Sequence, residues 1–136
     1  MRSKIRLFFI IFLSVQLDAD SFKYNFINKS GIIGLINMPT ARSFDEASAG
    51  FTYSYAEPDP KISFTLYPYD WLEASVYYMS IKGRPYGGGF DQDYKDKGIN
   101  LKFKLKEEGS WPAIALGFND IGGTGIYSSE YLVGSY

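Results

Sequence analysis

The sequence contains no cysteine and no histidine. Among these 136 residues there is therefore no disulfide bond, no thiol nucleophile, no lipidated cysteine and no zinc site built from Cys and His. The lack of histidine also removes the side chain that most often performs acid–base catalysis near neutral pH. We therefore expect no metal, no cofactor and no enzymatic activity.

The acidic residues do not form a recognisable metal site either. Asp91, Asp93 and Asp96 lie in "DQDYKDKG", but an EF-hand loop needs an oxygen ligand where Lys95 stands and a glycine where Asp96 stands. We interpret this stretch as a solvated loop.

Long hydrophobic runs are also scarce, and the run near the N-terminus is too short to span a bilayer. It follows three basic residues, Arg2, Lys4 and Arg6, and reads "LFFIIFLSV" before the small residue Ala19. This three-part layout is typical of a secretory signal, so residues 1–19 are predicted to be a signal peptide. The remaining chain is mildly acidic, which gives no reason to expect a nucleic-acid partner.

Aromatic residues and glycine are abundant, with twelve Tyr, eleven Phe and fourteen Gly. Many strand-forming and turn-forming residues together favour an all-β chain. Six segments alternate between apolar and polar residues with the period of a β-strand, the sixth less clearly than the others. They are residues 48–55, 61–67, 70–78, 97–106, 112–119 and 130–136.

The segment "KGINLKFKLK" at residues 97–106 shows the alternation most clearly, with one wholly apolar and one lysine-rich face. Short links such as "PYD" alternate with longer ones, the longest being a seventeen-residue link at residues 80–96. Alternating short turns and long loops are typical of a transmembrane β-barrel. We therefore predict an antiparallel meander that forms part of an outer-membrane barrel, with the apolar face in lipid.

This interpretation assigns side chains to two surfaces. Glu73 is expected to pair with Lys102 or Lys104 if the strand register allows it. The predicted polar wall of the lumen consists of Glu73, Ser75, Asn100, Lys102 and Lys104. The predicted aromatic anchors at the membrane–water interface are Tyr55, Tyr67, Trp71 and Trp111.

Two alternatives remain open, since periodicity alone does not distinguish inside from outside. A soluble exported β-barrel or sandwich could bind a small apolar ligand or a carbohydrate, with Phe103 and Leu105 buried and Lys102 and Lys104 in water. A carbohydrate-active enzyme would need two carboxylates close together, and Glu73 and Asp120 are the candidates.

Residues 20–47 form a separate N-terminal segment before the alternating strands. Its stretch "SGIIGLINMPTAR" at residues 30–42 is interpreted as a small strand and turn, or as a piece tucked into something larger. Residues 48–136 then supply the first five to six strands of a barrel. Because bacterial outer-membrane barrels begin at eight strands, we expect a fragment of a longer barrel or one part of an oligomer.

Several stretches resemble a known family. They are "GLINMPTAR" at residues 34–42, "YPYDWLEASVYY" at 67–78, "YKDKGINLKFKL" at 94–105 and "PAIALGFNDIGGTGIYSSEYLVGS" at 112–135. In colinear order they resemble the YjbH family, Gram-negative outer-membrane β-barrel proteins linked to exopolysaccharide and capsule production.

The resemblance implies several things about this chain. It implies that the chain matches the N-terminal part of longer proteins and lies in the cell outer membrane. The implied partners are outer-membrane lipid, exopolysaccharide and other export or assembly proteins. The family offers no catalytic residues to carry over.

Overall fold

The computed structural model describes residues 26–55, 59–89 and 91–136. Within these ranges the protein is all-β, with eight strands in two antiparallel sheets, which confirms the predicted fold class at that level. The predicted signal peptide, residues 1–19, lies outside the described residues. No helix in the described part of the chain is long and apolar enough to cross a membrane.

The smaller sheet is a two-stranded hairpin within the N-terminal segment. It consists of β1 (Gly34–Leu35) and β2 (Met38–Pro39), paired in antiparallel register. The strand at Pro39 is short and at an edge, where the missing N–H of proline is tolerated.

The larger sheet is a six-stranded meander in which every strand pairs with the next one along the chain. Its members are β3 (Ser48–Ser54), β4 (Lys61–Tyr69), β5 (Leu72–Pro85), β6 (Asp93–Lys106), β7 (Ala113–Ile121) and β8 (Ser129–Ser135). All six predicted strands are present, and each begins or ends within a few residues of its predicted limits except at residues 80–96.

The predicted seventeen-residue link at residues 80–96 is wrong. Strand β5 continues to Pro85 and β6 begins at Asp93, so most of the stretch is a paired hairpin in which Ile81 faces Tyr94. The hairpin extends beyond the neighbouring strands, because β4 begins opposite Met79. Much of its tip is therefore exposed on both faces. The sequence of the tip lacks the alternation of apolar and polar residues from which a strand could be predicted.

The connections lie at two ends of the sheet. At the turn end the strands are joined by residues 70–71 and 107–112, and at the loop end the chain passes from Ser54 to Lys61, from Pro85 to Asp93 and from Ile121 to Ser129. The predicted difference in length is real but small, since the longer connection at the turn end matches the shortest one at the loop end. The projecting β5–β6 hairpin accounts for most of the asymmetry.

The two faces of the large sheet have an unusual distribution of burial. The polar face is buried, as Glu73 and Lys102 illustrate, each with 1% of its surface exposed. The apolar face is exposed, with Val76 at 50% and Leu105 at 61%. Other exposed side chains on this face are Phe51, Tyr53, Ile62, Phe64, Leu66, Tyr78, Ile99 and Leu132.

The polar face is covered by residues 26–44, here called the covering segment. Ile32, Ile33 and Ala41 of this segment are fully buried, and Ala41 packs against Ala113 and Ala115 of β7. The two alternatives for residues 30–42 are both found, because this stretch forms a small hairpin and also packs against the larger sheet. The core of the described structure thus lies on the polar side of the sheet.

Candidate functional site

An ion pair lies on the buried polar face, in the half that is nearer the turn end. Glu73 and Lys102 are cross-strand partners in the β5–β6 register, and the carboxylate contacts the Lys102 ammonium directly. Since directly opposed residues on one face have neighbouring side chains, the register explains the pairing. The expected pairing is therefore seen for Lys102, while Lys104 pairs with Glu107 of the following turn.

Backbone groups of the covering segment complete this ion pair. The N–H of Ile33 donates to Glu73 Oε1 over 2.7 Å, and the Lys102 ammonium donates to the carbonyl oxygen of Arg42 over 2.8 Å. The hydroxyl of Tyr67 donates to the same Glu73 oxygen over 3.4 Å. Buried charges are tolerated only when paired and hydrogen-bonded, and here the segment supplies part of that solvation.

A close approach fixes the middle of the covering segment. Gly31 adopts a positive φ of 79°, and a Cβ at this position would collide with the side chains of Ser63 and Ser75. Its carbonyl oxygen accepts a hydrogen bond from Thr65. Only glycine combines this backbone conformation with such a close contact.

The segment is also bound at its far end. The N–H of Ala41 donates to Ser135 Oγ over 2.9 Å, which reaches the last strand of the sheet. The guanidinium of Arg42 donates to both carboxylate oxygens of Glu108 over 2.8 and 3.0 Å. The covering segment therefore contacts strands from β4 to β8.

Toward the loop end the same face contains a cavity of about 260 Å³. Its lining residues come from the covering segment, five strands and the loop before β8. They are Ser30, Lys61, Tyr77, Met79, Asn100, Asn119, Asp120, Tyr127 and Ser129. The cavity is thus lined mainly by polar side chains of mixed chemistry.

A β-bulge shapes one wall of this cavity. The β6–β7 register shifts between Ile99 and Leu101, and Asp120 adopts a left-handed backbone with a φ of 55°. Asn100 holds the bulge, because its Oδ1 accepts from the N–H of Asp120 over 3.0 Å. Bulges are common where a sheet must re-aim a side chain, and here Asp120 is turned into the buried face.

The residues predicted for the polar wall lie on one face. Ser75, Asn100 and the Glu73–Lys102 pair are buried there, and Lys104 is on the same face closer to the turn end. Two further polar residues, Thr65 and Asp96, are buried on this face. Their position in the alternation was the available signal. The interpretation of Asp96 as part of a solvated loop is wrong, because Asp96 lies in β6 with none of its surface exposed.

Three of the four predicted interface aromatics, Tyr55, Trp71 and Trp111, are exposed. Tyr67 is different, since it is 1% exposed on the polar face, where its ring meets Phe44 edge-on with centroids 5.1 Å apart. Its assignment to the interface does not fit this position. Tyr67 has the same strand phase as Ser63 and Thr65, which places its side chain on the inner side.

Two further tyrosines lie over glycines on the opposing strands of the polar face. A Cβ at Gly98 would collide with Tyr77, and a Cβ at Gly117 would collide with the ring of Tyr131. Each pair is directly opposed in the register. A large ring over a glycine covers backbone that would otherwise lack side-chain packing.

Glu73 and Asp120 were the candidate carboxylates for glycoside hydrolysis. Glu73 is engaged by Lys102 and Ile33, while Asp120 Oδ2 accepts from the N–H of Tyr127 over 3.1 Å. The two carboxylates therefore have separate partners in different halves of the face. Among the described residues, no group of three or more Asp or Glu side chains is placed to hold a metal ion.

Comparison with known proteins agrees with the resemblance in the sequence. The sequence model of the YjbH family, described as "Exopolysaccharide biosynthesis protein YbjH", matches residues 27–136. The chain belongs to the YjbH family. The matched residues include both the covering segment and the six-stranded sheet.

One relative of this YjbH chain is the "Uncharacterized lipoprotein YjbH" of Escherichia coli (strain K12). It is 38% identical over 110 residues, which cover 77% of this chain and 16% of the relative. The chain thus spans about one sixth of the length of that relative. The relative is named a lipoprotein, whereas the 136 residues here contain no cysteine. No solved structure matches the chain.

Proposed function

We propose that residues 48–136 form the first strands of an outer-membrane β-barrel, and that the protein acts without enzymatic chemistry in exopolysaccharide or capsule export and assembly. The observation that carries the proposal is the exposed apolar face of the sheet opposite a buried polar face. The description of the family supports the link to exopolysaccharide.

The apolar face is difficult to reconcile with water. Exposed side chains such as Phe64, Val76 and Ile99 are cross-strand neighbours and form a continuous surface. Burial of each large side chain is worth about 1.5–3 kcal/mol, and soluble monomers rarely expose wide apolar patches. Hydrocarbon tails would cover this surface without requiring a protein partner.

Aromatic side chains border the apolar surface at both ends. The turn end carries Tyr69 and Trp71, whose rings stack with centroids 5.3 Å apart, and the loop end carries Tyr53 and Tyr78. Trp71 and Tyr78 are separated along the chain by about 23 Å at the usual rise of a strand. At the tilt of about 35–45° usual for barrel strands, this length corresponds to a height of about 16–19 Å, which fits within the apolar band of about 25 Å in outer-membrane barrels.

The edges of the sheet require more strands. Within the described residues, β3 and β8 each pair with a single neighbour. Unpaired backbone groups in lipid cost several kcal/mol each, so in a membrane both edges must be paired. Because the chain spans one sixth of its relative, we expect the closing strands to come from the rest of a longer protein. In such a barrel the turn end faces the periplasm.

The soluble alternative predicts the opposite burial pattern. It requires Leu105 inside and Lys102 in water, whereas Leu105 is exposed and Lys102 is buried. A soluble protein with this sheet would need a second apolar layer over its outer face. The membrane barrel accounts for the same pattern without one.

Fractionation of the full-length protein tests the proposal. We expect the protein in the outer-membrane fraction, with heat-modifiable migration on gels, and less secreted exopolysaccharide when its gene is deleted. A soluble periplasmic location would contradict the barrel. Unchanged secretion after deletion, under conditions in which the cell makes the polymer, would contradict the role in export and assembly.

A further inference from the structure

We propose that the cavity at the loop end binds one uncharged sugar unit of an exopolysaccharide. This inference rests on the proposed function and adds a site and a ligand class to it. The size of the cavity, its chemistry and the fixed positions of its side chains favour such a ligand.

The size of the cavity limits the ligand. Its volume of about 260 Å³ equals roughly nine water molecules. Pockets for drug-sized ligands are larger, about 300–1,000 Å³, so this cavity suits a single ring better than a chain of rings. The covering segment closes it on one side through Ser30, which also accepts a hydrogen bond from Asn100 over 3.1 Å.

The lining chemistry suits a ligand that both donates and accepts hydrogen bonds. Hydroxyl, amide, carboxylate and ammonium groups meet in one space, contributed by Ser129, Asn119, Asp120 and Lys61. Sugar hydroxyls can pair with every one of these groups, since each hydroxyl is a donor and an acceptor. An apolar ligand would offer these groups no hydrogen-bond partner in place of water.

One acceptor in the lining still needs a donor. Asn119 donates through Nδ2 to Ser129 Oγ over 3.0 Å, which fixes the amide. Its Oδ1 is buried and meets no hydrogen-bond donor among the described residues. A ligand hydroxyl placed in the cavity would supply that donor.

The charges favour an uncharged ligand. Lys61 and Asp120 line the cavity with opposite charges, and the Lys61 ammonium lies 3.8 Å from the centre of the Tyr77 ring. Because these two charges offset each other, the lining offers no net attraction to a cation or to an anion that would repay the loss of its hydration. Neutral hydroxyl groups avoid this cost.

An aromatic ring lies at the rim. Tyr127 is exposed, and its position is fixed by its N–H bond to Asp120 and by a hydroxyl bond to Asp59 over 3.4 Å. Exposed rings offer an apolar surface next to a polar group, which suits the face and edge of a sugar. The ring could therefore contact the unit that follows the bound one.

Binding is best measured with the purified full-length protein in detergent. The probe is the set of neutral fragments released by mild acid from the exopolysaccharide of the host cell, and acidic fragments form a second set. We expect saturable binding of neutral fragments by calorimetry. We expect Asn119→Ala to weaken it about tenfold, as loss of one hydrogen bond implies.

A second variant protects the test against misfolding. Ser129 is exposed at the start of β8, so Ser129→Tyr is expected to fill the cavity without disturbing the buried face. It should abolish binding while heat-modifiable migration is retained. Gln92→Ala, in a separate groove of the β5–β6 hairpin, is the matched control and should bind as the unaltered protein does.

The outcomes separate this inference from the proposed function. Binding that is absent, unaffected by both cavity variants, or stronger for acidic fragments overturns the sugar site even if the protein is in the outer membrane. Cavity-dependent binding of neutral fragments by a soluble periplasmic protein would instead uphold the site and overturn the barrel.

Discussion

The two halves of the buried polar face solve the same physical problem differently. Near the turn end, Glu73 and Lys102 form an ion pair, and the backbone of the covering segment adds a hydrogen bond to each of them. Near the loop end, the same wall opens into a cavity with a buried amide oxygen of Asn119 that lacks a donor among the described residues. The comparison indicates that the filled half holds the structure together, while the open half is available for binding.

The largest expected effect comes from breaking the ion pair of the filled half. Glu73→Ala leaves the Lys102 ammonium buried without a counter-charge, which should lower the free energy of unfolding by about 3–5 kcal/mol. The double variant Glu73→Leu with Lys102→Met should recover much of that loss, since it leaves no buried charge. Denaturant unfolding in detergent measures both.

The control for the ion pair is Glu107→Ala, which removes the exposed partner of Lys104. It should change stability by less than about 1 kcal/mol, as exposed ion pairs do. An equal loss from Glu73→Ala and Glu107→Ala would contradict the special role of the buried pair.

Gly31→Ala is expected to have the next largest effect. The added Cβ meets Ser63 and Ser75 at a residue with positive φ, and strain and overpacking together should cost about 2–4 kcal/mol. Gly125→Ala is a matched control, because Gly125 also has positive φ, 73°, but has no atom near the Cβ position. If both substitutions cost the same in thermal unfolding, the covering segment is not packed as described.

The smallest effect is expected for the substitution of two serines, one in each half of the polar face. Ser75 is fully buried beneath the covering segment, so Ser75→Leu should overpack this half by about 1–3 kcal/mol. Ser129→Leu, at the mouth of the cavity, removes one exposed hydrogen bond from Asn119 and should cost only about 0.5 kcal/mol. The measurement is the denaturant concentration at the midpoint of unfolding, compared between variants with the same dependence on denaturant. A larger loss of stability from Ser129→Leu than from Ser75→Leu would contradict the distinction between the halves.

Strand phase could be predicted from the sequence because alternation records which side chains share a face. That was sufficient to group Glu73 with Lys102, although only the register shows that they are directly opposed. The prediction for Tyr67 follows the general preference of tyrosine for membrane interfaces, whereas its strand phase places it on the inner face. The sequence does not predict the strand residues beyond Ile81, because a hairpin that is exposed on both faces has no alternation of apolar and polar residues.

The covering segment and the cavity depend on contacts that sequence periodicity does not contain. Ile33 binds Glu73, forty residues away, and Arg42 binds Lys102, sixty residues away. The apolar run around Ile32 and Ile33 indicated burial but not the surface that provides it. The bulge at Asp120, which shapes the cavity, arises from a local register shift that alternation does not predict.

Spin labels on adjacent residues of β3 can show whether the apolar face contacts lipid. Phe51 is on the exposed apolar face and Thr52 on the opposite face, and the 136 residues offer no competing thiol. Each is replaced by a labelled cysteine in the full-length protein in lipid vesicles, with any cysteine elsewhere removed. The label at Phe51 should collide with lipid-soluble oxygen and the label at Thr52 should not. If the Phe51 label collided with a water-soluble nickel reagent as often as with oxygen, the apolar face would not be in lipid.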